Sequence, residues 1–183
     1  MLAYSSVAHS GYILAAFAAL QGNGIAFAVQ AVLIYTAAYA VMNMGAFLVV
    51  DLVGEDTKNY NGLVRTNPGV AASMAVFMAA LVGIPPLSGF FGKLWIIIAG
   101  AQSGSVLVYV VVGALVVNTV LSVPYYFGMI RNMIFEEPTT ETVRSGGSGA
   151  VKFSVYVLAV LATLFGLLII PLSALVSAAS GLV

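Results

Sequence analysis

Residues 83–98, which read GIPPLSGFFGKLWIII, decide the fold of this chain. Two prolines, three glycines and one lysine interrupt a long apolar run there. Each is costly in a membrane span, because proline removes a backbone donor and clashes with the preceding turn, and a charge at membrane depth must be compensated. The stretch therefore predicts one crossing whose helix breaks at Pro85 and Pro86, resumes near Leu87 and then carries Lys93.

Composition places the rest of the chain in a membrane as well. Of its 183 residues 62% are hydrophobic and 7% are charged, with a mean hydropathy of +1.10. A soluble domain carries about 25% charged residues, so this chain must use lipid or other membrane protein as solvent. The net charge is zero and no basic cluster is present, so nucleic acid is not an expected partner. With no cysteine and one histidine, the sequence excludes disulfides, thiolate sites and multi-histidine metal sites within it.

The apolar runs predict an all-α fold, a polytopic transmembrane bundle of about five helices that forms a single membrane domain over residues 1–183. A span needs about 20 residues to cross roughly 30 Å of hydrocarbon. Runs this long favour helices, since barrel strands alternate over about 10 residues. We expect the third crossing to be discontinuous at Pro85-Pro86 and the fourth to kink at Pro124. The predicted crossings are 2–21, 25–51, 69–101, 105–134 and 151–179.

The basic residues predict the orientation of the bundle. Five crossings place the N-terminus and loops 52–68 and 135–150 on one side, and the latter loop contains the flexible stretch SGGSG. That side holds Lys58, Arg65, Arg131, Arg144 and Lys152, and the other side holds no Lys or Arg. Because positive residues favour the cytoplasmic side, we expect a cytoplasmic N-terminus and an outer C-terminus.

Lys93 is the candidate catalytic residue. A lysine at mid-depth is expensive, usually faces a polar cavity and is by default a functional hypothesis. The alternative is a lysine that extends its ammonium to the interface from near the end of a span. The apolar run that continues through Trp95 beyond the lysine disfavours this alternative.

The break itself is the second candidate feature. Its residues are Gly83, Pro85, Pro86, Ser88 and Gly89. A true interruption offers unpaired carbonyls and amides to ions or water, as in transporters with discontinuous helices, and Ser88 is placed to cap the second half-helix. The alternative is a continuous helix with a proline kink.

A polar stripe follows the second helix, with Tyr35, Tyr39 and Asn43 at positions i, i+4 and i+8 of one face. It either lines a hydrated path or forms hydrogen bonds between helices. His9, on the first helix, either relays protons, since histidine titrates near neutrality, or makes a structural hydrogen bond.

The fourth helix carries a less regular group of polar and aromatic residues. Asn118, Thr119 and Ser122 are the polar members. We expect Tyr125 and Tyr126 to anchor the helix at the membrane interface.

Three stretches together carry a resemblance to a known family. They are MLAYSSVAHSGYI at 1–13, MNMGAFLVV at 42–50 and the segment 60–97 that ends in GIPPLSGFFGKLWII. The chain resembles the antiporter-like membrane subunits of respiratory complex I, the proton-pumping NADH–quinone oxidoreductase, to about residue 138. The wider superfamily includes the multi-subunit sodium/proton antiporters.

Among these antiporter-like subunits, the residues of this chain resemble the N-type. L-type and M-type subunits usually carry His and Lys on the helix where this chain has Tyr35, Tyr39 and Asn43. M-type subunits usually place Glu on the discontinuous helix, where this chain has Lys93. Lys93 thus matches the family's lysine at the outlet of the half-channel.

The resemblance implies a larger protein and a shared function. The family has about fourteen helices, with two inverted repeats of five, and this chain matches the last five, so we expect a C-terminal portion of a larger subunit. Quinone reduction elsewhere would drive charge along buried ionisable residues, and Lys93 would release a proton toward the outer side. The Lys and Glu that feed this path lie in the family's earlier helices.

The resemblance also implies cofactors, partners and location. NADH, flavin, iron–sulfur clusters and quinone would belong to other subunits, with no cofactor in this chain. The expected partners are the neighbouring M-type subunit, the small K-, J- and A-type subunits and lipid, in a bacterial inner membrane. Two alternatives remain open, a subunit of a multi-subunit sodium/proton antiporter and a structural membrane scaffold that tolerates a neutral residue at position 93.

Overall fold

A computed structural model describes residues 1–21, 25–138 and 149–180, with side chains as far as Leu168 except at Gln21 and Ala26. The described residues form helices joined by turns, without a strand, which confirms the all-α prediction. The helices are α1 (Leu2–Ala18), α2 (Ile25–Val53), α3 (Leu63–Thr66), α4 (Pro68–Val82), α5 (Ser88–Gln102), α6 (Val106–Phe135) and α7 (Gly149–Ser180).

The described helices agree with the predicted crossings. Three stretches are each long and apolar enough to span a membrane, namely Phe27–Val53 of α2, all of α6 and Gly149–Leu168 of α7. Helix α1 has 17 residues, which at the helical rise of 1.5 Å per residue gives about 26 Å. The remaining predicted crossing is divided between α4 and α5, and residues 83–87 lie outside both helices.

Helices α4 and α5 follow one another along α2 as two halves of a single crossing. Phe77 of α4 lies against Gly45, where an added Cβ would come within 2.2 Å of its ring. Gly92 of α5 lies against Tyr35, where an added Cβ would come within 2.6 Å of the tyrosine ring. Higher numbers on α4 and α5 thus meet lower numbers on α2, so both halves run antiparallel to it. The structure confirms a true interruption rather than a kink.

Two apolar clusters hold the bundle together. One joins the second half of α2 to α4 and to parts of α6 and α7, and it includes Met42, Phe77 and Met133. The other joins α1, the first half of α2, α5 and the first half of α6, and it includes Ala31 and Ile96. The second cluster is rich in alanine, because small side chains let membrane helices approach closely. The buried polar residues around His9 and Lys93 lie where the two clusters meet.

The two predicted charged loops meet at one end of the bundle. The N–H of Gly62 donates to the carbonyl of Asn132 at 3.1 Å, which ties the segment after α2 to the last turns of α6. Pro124 lies inside α6, which continues to Phe135. The predicted flexible loop at 135–150 falls largely outside the described residues, which omit 139–148.

Candidate functional site

The break begins with a glycine in the left-handed region. Gly83 follows the last residue of α4 with φ +93°, a conformation that favours glycine because it has no Cβ. Its N–H and that of Ile84 both donate to the carbonyl of Ala79 at 3.0 Å. The chain therefore turns sharply out of α4, and the Pro85-Pro86 peptide, which is cis, follows this turn.

Ser88 does not cap α5, so this prediction was wrong. Leu87, with extended backbone angles, is the residue that precedes the helix, and no side chain caps the helix start. Ser88 is the first helical residue, and its buried Oγ has no hydrogen-bond partner within the part of the chain that the structure describes. A capping side chain must come from the residue before the helix, and Ser88 lies one position too late.

Gly89 lets the start of α5 cross the end of α4 at very short range. A Cβ at this position would come within 1.8 Å of the carbonyl oxygen of Ala80. Only glycine fits there, because the obstructing atom belongs to the backbone and cannot rotate away. The close crossing brings the first turns of α5 against the carboxyl end of α4.

Lys93 closes the broken end of α4. Its Nζ donates to the carbonyls of Leu81 and Val82, at 2.9 Å in each case, and the residue is only 5% exposed. The last carbonyls of a helix have no intrahelical donor, and a cation there is stabilised by the helix dipole. Lys93 therefore points inward, to the gap between the two half-helices.

Tyr12 separates Lys93 from His9. The Lys93 Nζ lies 5.2 Å from the centroid of the Tyr12 ring, within the range of a cation–π contact. On the other side, the Tyr12 and His9 rings meet edge to face with their centroids 5.3 Å apart. The Tyr12 hydroxyl accepts a hydrogen bond from Nδ2 of Asn118 at 2.6 Å. Sequence reasoning missed Tyr12, although its i+3 spacing from His9 places both on one face of α1.

His9 is the centre of a hydrogen-bonded row that joins three helices. The His9 side chain is buried, and its Nδ1 lies 2.5 Å from the hydroxyl of Tyr35 on α2. Its Nε2 lies 3.5 Å from the hydroxyl of Tyr126 on α6, which also bonds to Oγ of Ser5. The Tyr39 ring stacks on the imidazole with centroids 5.0 Å apart. Ser5, Tyr126, His9 and Tyr35 thus form a continuous path of groups that can donate or accept a proton.

The remaining residues of the predicted stripe and of α6 divide between the site and its surroundings. Asn43 stays outside the row, and its buried Oδ1 has no hydrogen-bond partner among residues 1–21, 25–138 and 149–168. Tyr126 is 1% exposed, so the prediction that it anchors the interface was wrong. Tyr125, which is 40% exposed, fits that prediction better. The spacing of α6 alone could not show which neighbouring tyrosine faces α1.

A cavity of about 190 Å³ reaches Lys93 from between α5 and α6. Its lining includes Gly83, Phe90, Leu115 and Thr119. The Oγ1 of Thr119 is buried and has no hydrogen-bond partner among the described residues. A water molecule occupies about 30 Å³ in the liquid, so this cavity is large enough for several, next to both the ammonium and an unpaired hydroxyl.

Among the described residues, the ammonium of Lys93 is held by backbone dipoles rather than by a counter-ion. No Asp or Glu occurs between residues 57 and 135. In the part of the chain that the structure describes, Lys93 pairs with carbonyl oxygens and an aromatic face, and no group of three His, Cys, Asp or Glu could hold a metal. This arrangement can hold, take up and release a proton at Lys93 while leaving the surrounding helices uncharged.

Comparison with known proteins gives the family of the chain. A family model described as "NADH:quinone oxidoreductase/Mrp antiporter, TM" matches residues 1–122. The chain belongs to this family. Together with its long apolar helices, this membership makes the chain an integral membrane protein.

Curated relatives of the chain are N-type subunits. The chain is 68% identical over 183 residues to NADH-quinone oxidoreductase subunit N of Rubrobacter xylanophilus, which covers all of this chain and 38% of that protein. It is 39% identical over 159 residues to subunit N 2 of Sorangium cellulosum, which covers 81% of this chain and 31% of that protein. The chain thus spans about a third of the length of the curated relatives it matches.

Two solved structures share the fold. A chain of respiratory complex I from Thermus thermophilus, solved with bound aureothin, superimposes with a TM-score of 0.72 at 29% identity, covering 91% of this chain and 37% of that one. A chain of the Mrp complex from Dietzia sp. superimposes with the same TM-score of 0.72 at 21% identity, covering 91% of this chain and 39% of that one. The second likeness shows the fold alone.

Proposed function

We propose that this chain is part of an N-type membrane subunit of a proton-translocating NADH–quinone oxidoreductase, in which Lys93 exchanges the proton on the outer side. The 68% identity to a subunit N supports the assignment. The observation that carries the role of Lys93 is its burial at the helix break, beside a cavity, where its ammonium bonds to two backbone carbonyls and lies over the Tyr12 ring.

The geometry suggests that proton delivery and proton release take place on opposite sides of Tyr12. The row through His9 reaches Tyr12 from one side, and Lys93 lies on the other. A proton that arrives along the His9 row would reach the Lys93 amine through water, because the ring contacts of Tyr12 with His9 and Lys93 contain no exchangeable proton. Once charged, Lys93 is stabilised by the carbonyls of Leu81 and Val82, and it releases the proton through the cavity lined by Thr119.

The chain acts as one portion of a larger machine. We expect it to supply the C-terminal five crossings, with the feeding Lys and Glu in helices that precede them in the family. It would adjoin an M-type subunit, the small K-, J- and A-type subunits and lipid in a bacterial inner membrane. The isolated chain should not pump, and its residues are best tested in the intact complex.

The test compares Lys93→Ala with Lys152→Ala in the assembled complex. Lys152 lies near the start of α7, so its replacement removes the same charge without touching the site. We expect Lys93→Ala to lower the number of protons moved per NADH oxidised severalfold, and Lys152→Ala to leave it unchanged. Acidification of inverted membrane vesicles, divided by the amount of assembled complex, measures this ratio. Normal pumping by a well-assembled Lys93→Ala complex would refute the proposal and favour a structural scaffold.

The second candidate is a subunit of a multi-subunit sodium/proton antiporter. The matched family model covers both systems, and the fold of the Dietzia Mrp chain fits equally well. An antiporter predicts that added Na⁺ collapses a pH gradient across vesicles without NADH. A gradient that forms only with NADH and quinone, and that ignores Na⁺, supports the complex I assignment.

The proposed orientation can be tested separately, because the chain contains no cysteine. Thr57→Cys lies in the charged loop after α2, and Gln102→Cys lies at the exposed end of α5. A thiol reagent that cannot cross membranes should label Thr57→Cys from the cytoplasmic side and Gln102→Cys from the outer side. The reverse pattern would invert the proposed orientation without affecting the site.

A further inference from the structure

The carboxyl end of α4 has the features of a cation site that is already filled. Lys93 places a single positive charge against two carbonyl oxygens, both at 2.9 Å, and over the face of Tyr12 at 5.2 Å. Carbonyls at the ends of broken membrane helices are ligands that transporters use for free Na⁺. Here the cation is covalently attached to the protein.

We propose that the carbonyls of Leu81 and Val82, with the Tyr12 ring, form a monovalent-cation seat that Lys93 occupies as a tethered cation, excluding free Na⁺ and K⁺. The geometry of the seat stands by itself. Its consequence, that only a proton is exchanged there, rests on the proposed function. Lys93 would then determine which ion the site uses, as well as carrying the proton.

The surroundings of Lys93 support exclusion by the whole side chain. Its Cδ and Nζ lie 3.4 and 3.6 Å from the position of a Cβ on Gly83, so the stem runs alongside the turn that follows α4. The stem and the ammonium together occupy the space between the half-helices. A second cation would meet like charge where no carboxylate of residues 57–135 can compensate it.

The cavity beside Lys93 provides an entrance for a replacement cation. It is about 190 Å³ in volume and is lined by Lys93 and Thr119 together. Truncation of Lys93 to alanine would join the vacated space to this cavity. Methylammonium, which reproduces the end of the lysine side chain, should then reach the same two carbonyls.

The experiment measures the binding of ¹⁴C-methylammonium and ²²Na⁺ to the purified whole complex by equilibrium dialysis. Three variants are compared with the unaltered complex, namely Lys93→Ala, Lys93→Met and Lys152→Ala. We expect Lys93→Ala alone to gain one saturable site per complex, for which the two cations compete. Lys93→Met should gain none, because its unbranched apolar side chain still fills the seat. Lys152→Ala controls for the loss of a charge elsewhere.

Two results would overturn the seat. One is an assembled Lys93→Ala complex that binds no more of either cation than the unaltered complex does. The other is an equal gain in Lys93→Met, which would show that the added binding does not depend on an emptied seat. This experiment does not measure pumping. The proposed cation seat can therefore be refuted without refuting the proton role of Lys93, and the proton role can be refuted without refuting the seat.

If Lys93→Ala assembles poorly, assembly itself becomes the measurement. Methylammonium added during expression should restore the amount of assembled Lys93→Ala complex and leave that of Lys93→Met unchanged, because only the first variant has room for it. Failure of methylammonium and of Na⁺ to restore Lys93→Ala would overturn the proposal.

Discussion

The carboxyl ends of α2 and α4 have the same backbone geometry, but different side chains donate hydrogen bonds to their last carbonyls. Helices α2 and α4 both end on valine, and each is followed by a glycine of positive φ, Gly54 at +102° and Gly83 at +93°. In both cases the glycine N–H donates to the carbonyl four residues earlier. The backbone therefore terminates both helices in the same way.

The donors that close the two ends differ in charge. At α2, Nδ2 of Asn59 donates to the carbonyl of Val53 at 3.1 Å, and the hydroxyl of Tyr60 donates to that of Gly54 at 3.0 Å. At α4, the only side-chain donor recorded among the described residues is the ammonium of Lys93. Neutral donors are thus sufficient to close such an end. A charge at the α4 end requires a reason beyond capping, and the proposed proton exchange would supply one.

The largest effect should come from Gly89→Ala, which disrupts the close contact between the start of α5 and the end of α4. The α2 end has no such contact among the described residues. The new Cβ would come within 1.8 Å of the Ala80 carbonyl, so the two half-helices must separate. We expect a loss of about 3 kcal/mol or more in stability and little assembled complex. Gly113→Ala on α6 is the control, because nothing lies within 4 Å of its Cβ position. Thermal unfolding and the yield of complex measure both variants, and an unchanged melting temperature for Gly89→Ala would contradict the crossing.

Lys93→Gln gives the α4 end the kind of donor that the α2 end uses. The amide can still donate to a carbonyl, so we expect assembly to survive with a loss of about 1 kcal/mol in stability. It cannot carry a proton, so pumping per NADH oxidised should fall severalfold. Vesicle acidification and yield are measured on the same preparations. Full pumping by Lys93→Gln would mean that capping is the whole role of Lys93 and would remove the contrast between the two ends.

Gly83→Ala and Gly54→Ala both place an alanine at positive φ after a helix, and at position 54 the new Cβ would also come within 2.8 Å of Nδ2 of Asn59. An alanine with positive φ costs about 1–2 kcal/mol at either position. At position 83 the new Cβ would touch Cδ of Lys93 at 3.4 Å, so a shift of the turn that relieves the backbone strain would also change the contact with the lysine. We expect Gly54→Ala to lower the melting temperature at least as much as Gly83→Ala does, but we expect reduced pumping only for Gly83→Ala. Equal pumping by the two variants would show that the position of Lys93 tolerates movement of the break.

The sequence was informative wherever a residue was costly in its surroundings. Proline and a charge in an apolar run carry penalties of several kcal/mol, so Pro85-Pro86 and Lys93 identified the break and its lysine without knowledge of any neighbour. The alternation of crossings likewise placed the two charged loops at one end. These are properties of a single segment in its solvent.

The contacts between segments could not be read in this way. Tyr12 matters because α1 packs beside α5, and Tyr126 faces His9 because α6 packs on α1 at one rotation rather than another. The acceptors of Lys93 are backbone carbonyls, which carry no sequence signature. The error at Ser88 has the same origin, since one residue's difference in the start of α5 decides whether a serine caps the helix or begins it.

The smallest effect should come from Tyr60→Phe at the α2 end. Tyr60 is 1% exposed and its hydroxyl closes the carbonyl of Gly54, so its loss should cost about 1 kcal/mol. Burial raises the pKa of this hydroxyl, and the folded protein therefore favours its neutral form. The contribution is present at all pH values below the unfolded pKa of about 10 and is lost only above it. The difference in melting temperature between Tyr60→Phe and the unaltered complex should accordingly stay constant between about pH 6 and 9.

Pumping by Tyr60→Phe should equal that of the unaltered complex. The α2 end lies in the charged loop, where water can replace a lost donor, whereas no such replacement restores the charge at the α4 end. A loss of pumping as large as that of Lys93→Gln, at normal yield, would show that the neutral end is also coupled to proton transfer. Pumping would then depend on movement of α2, which packs against both half-helices of the break, rather than on the charged donor at the α4 end.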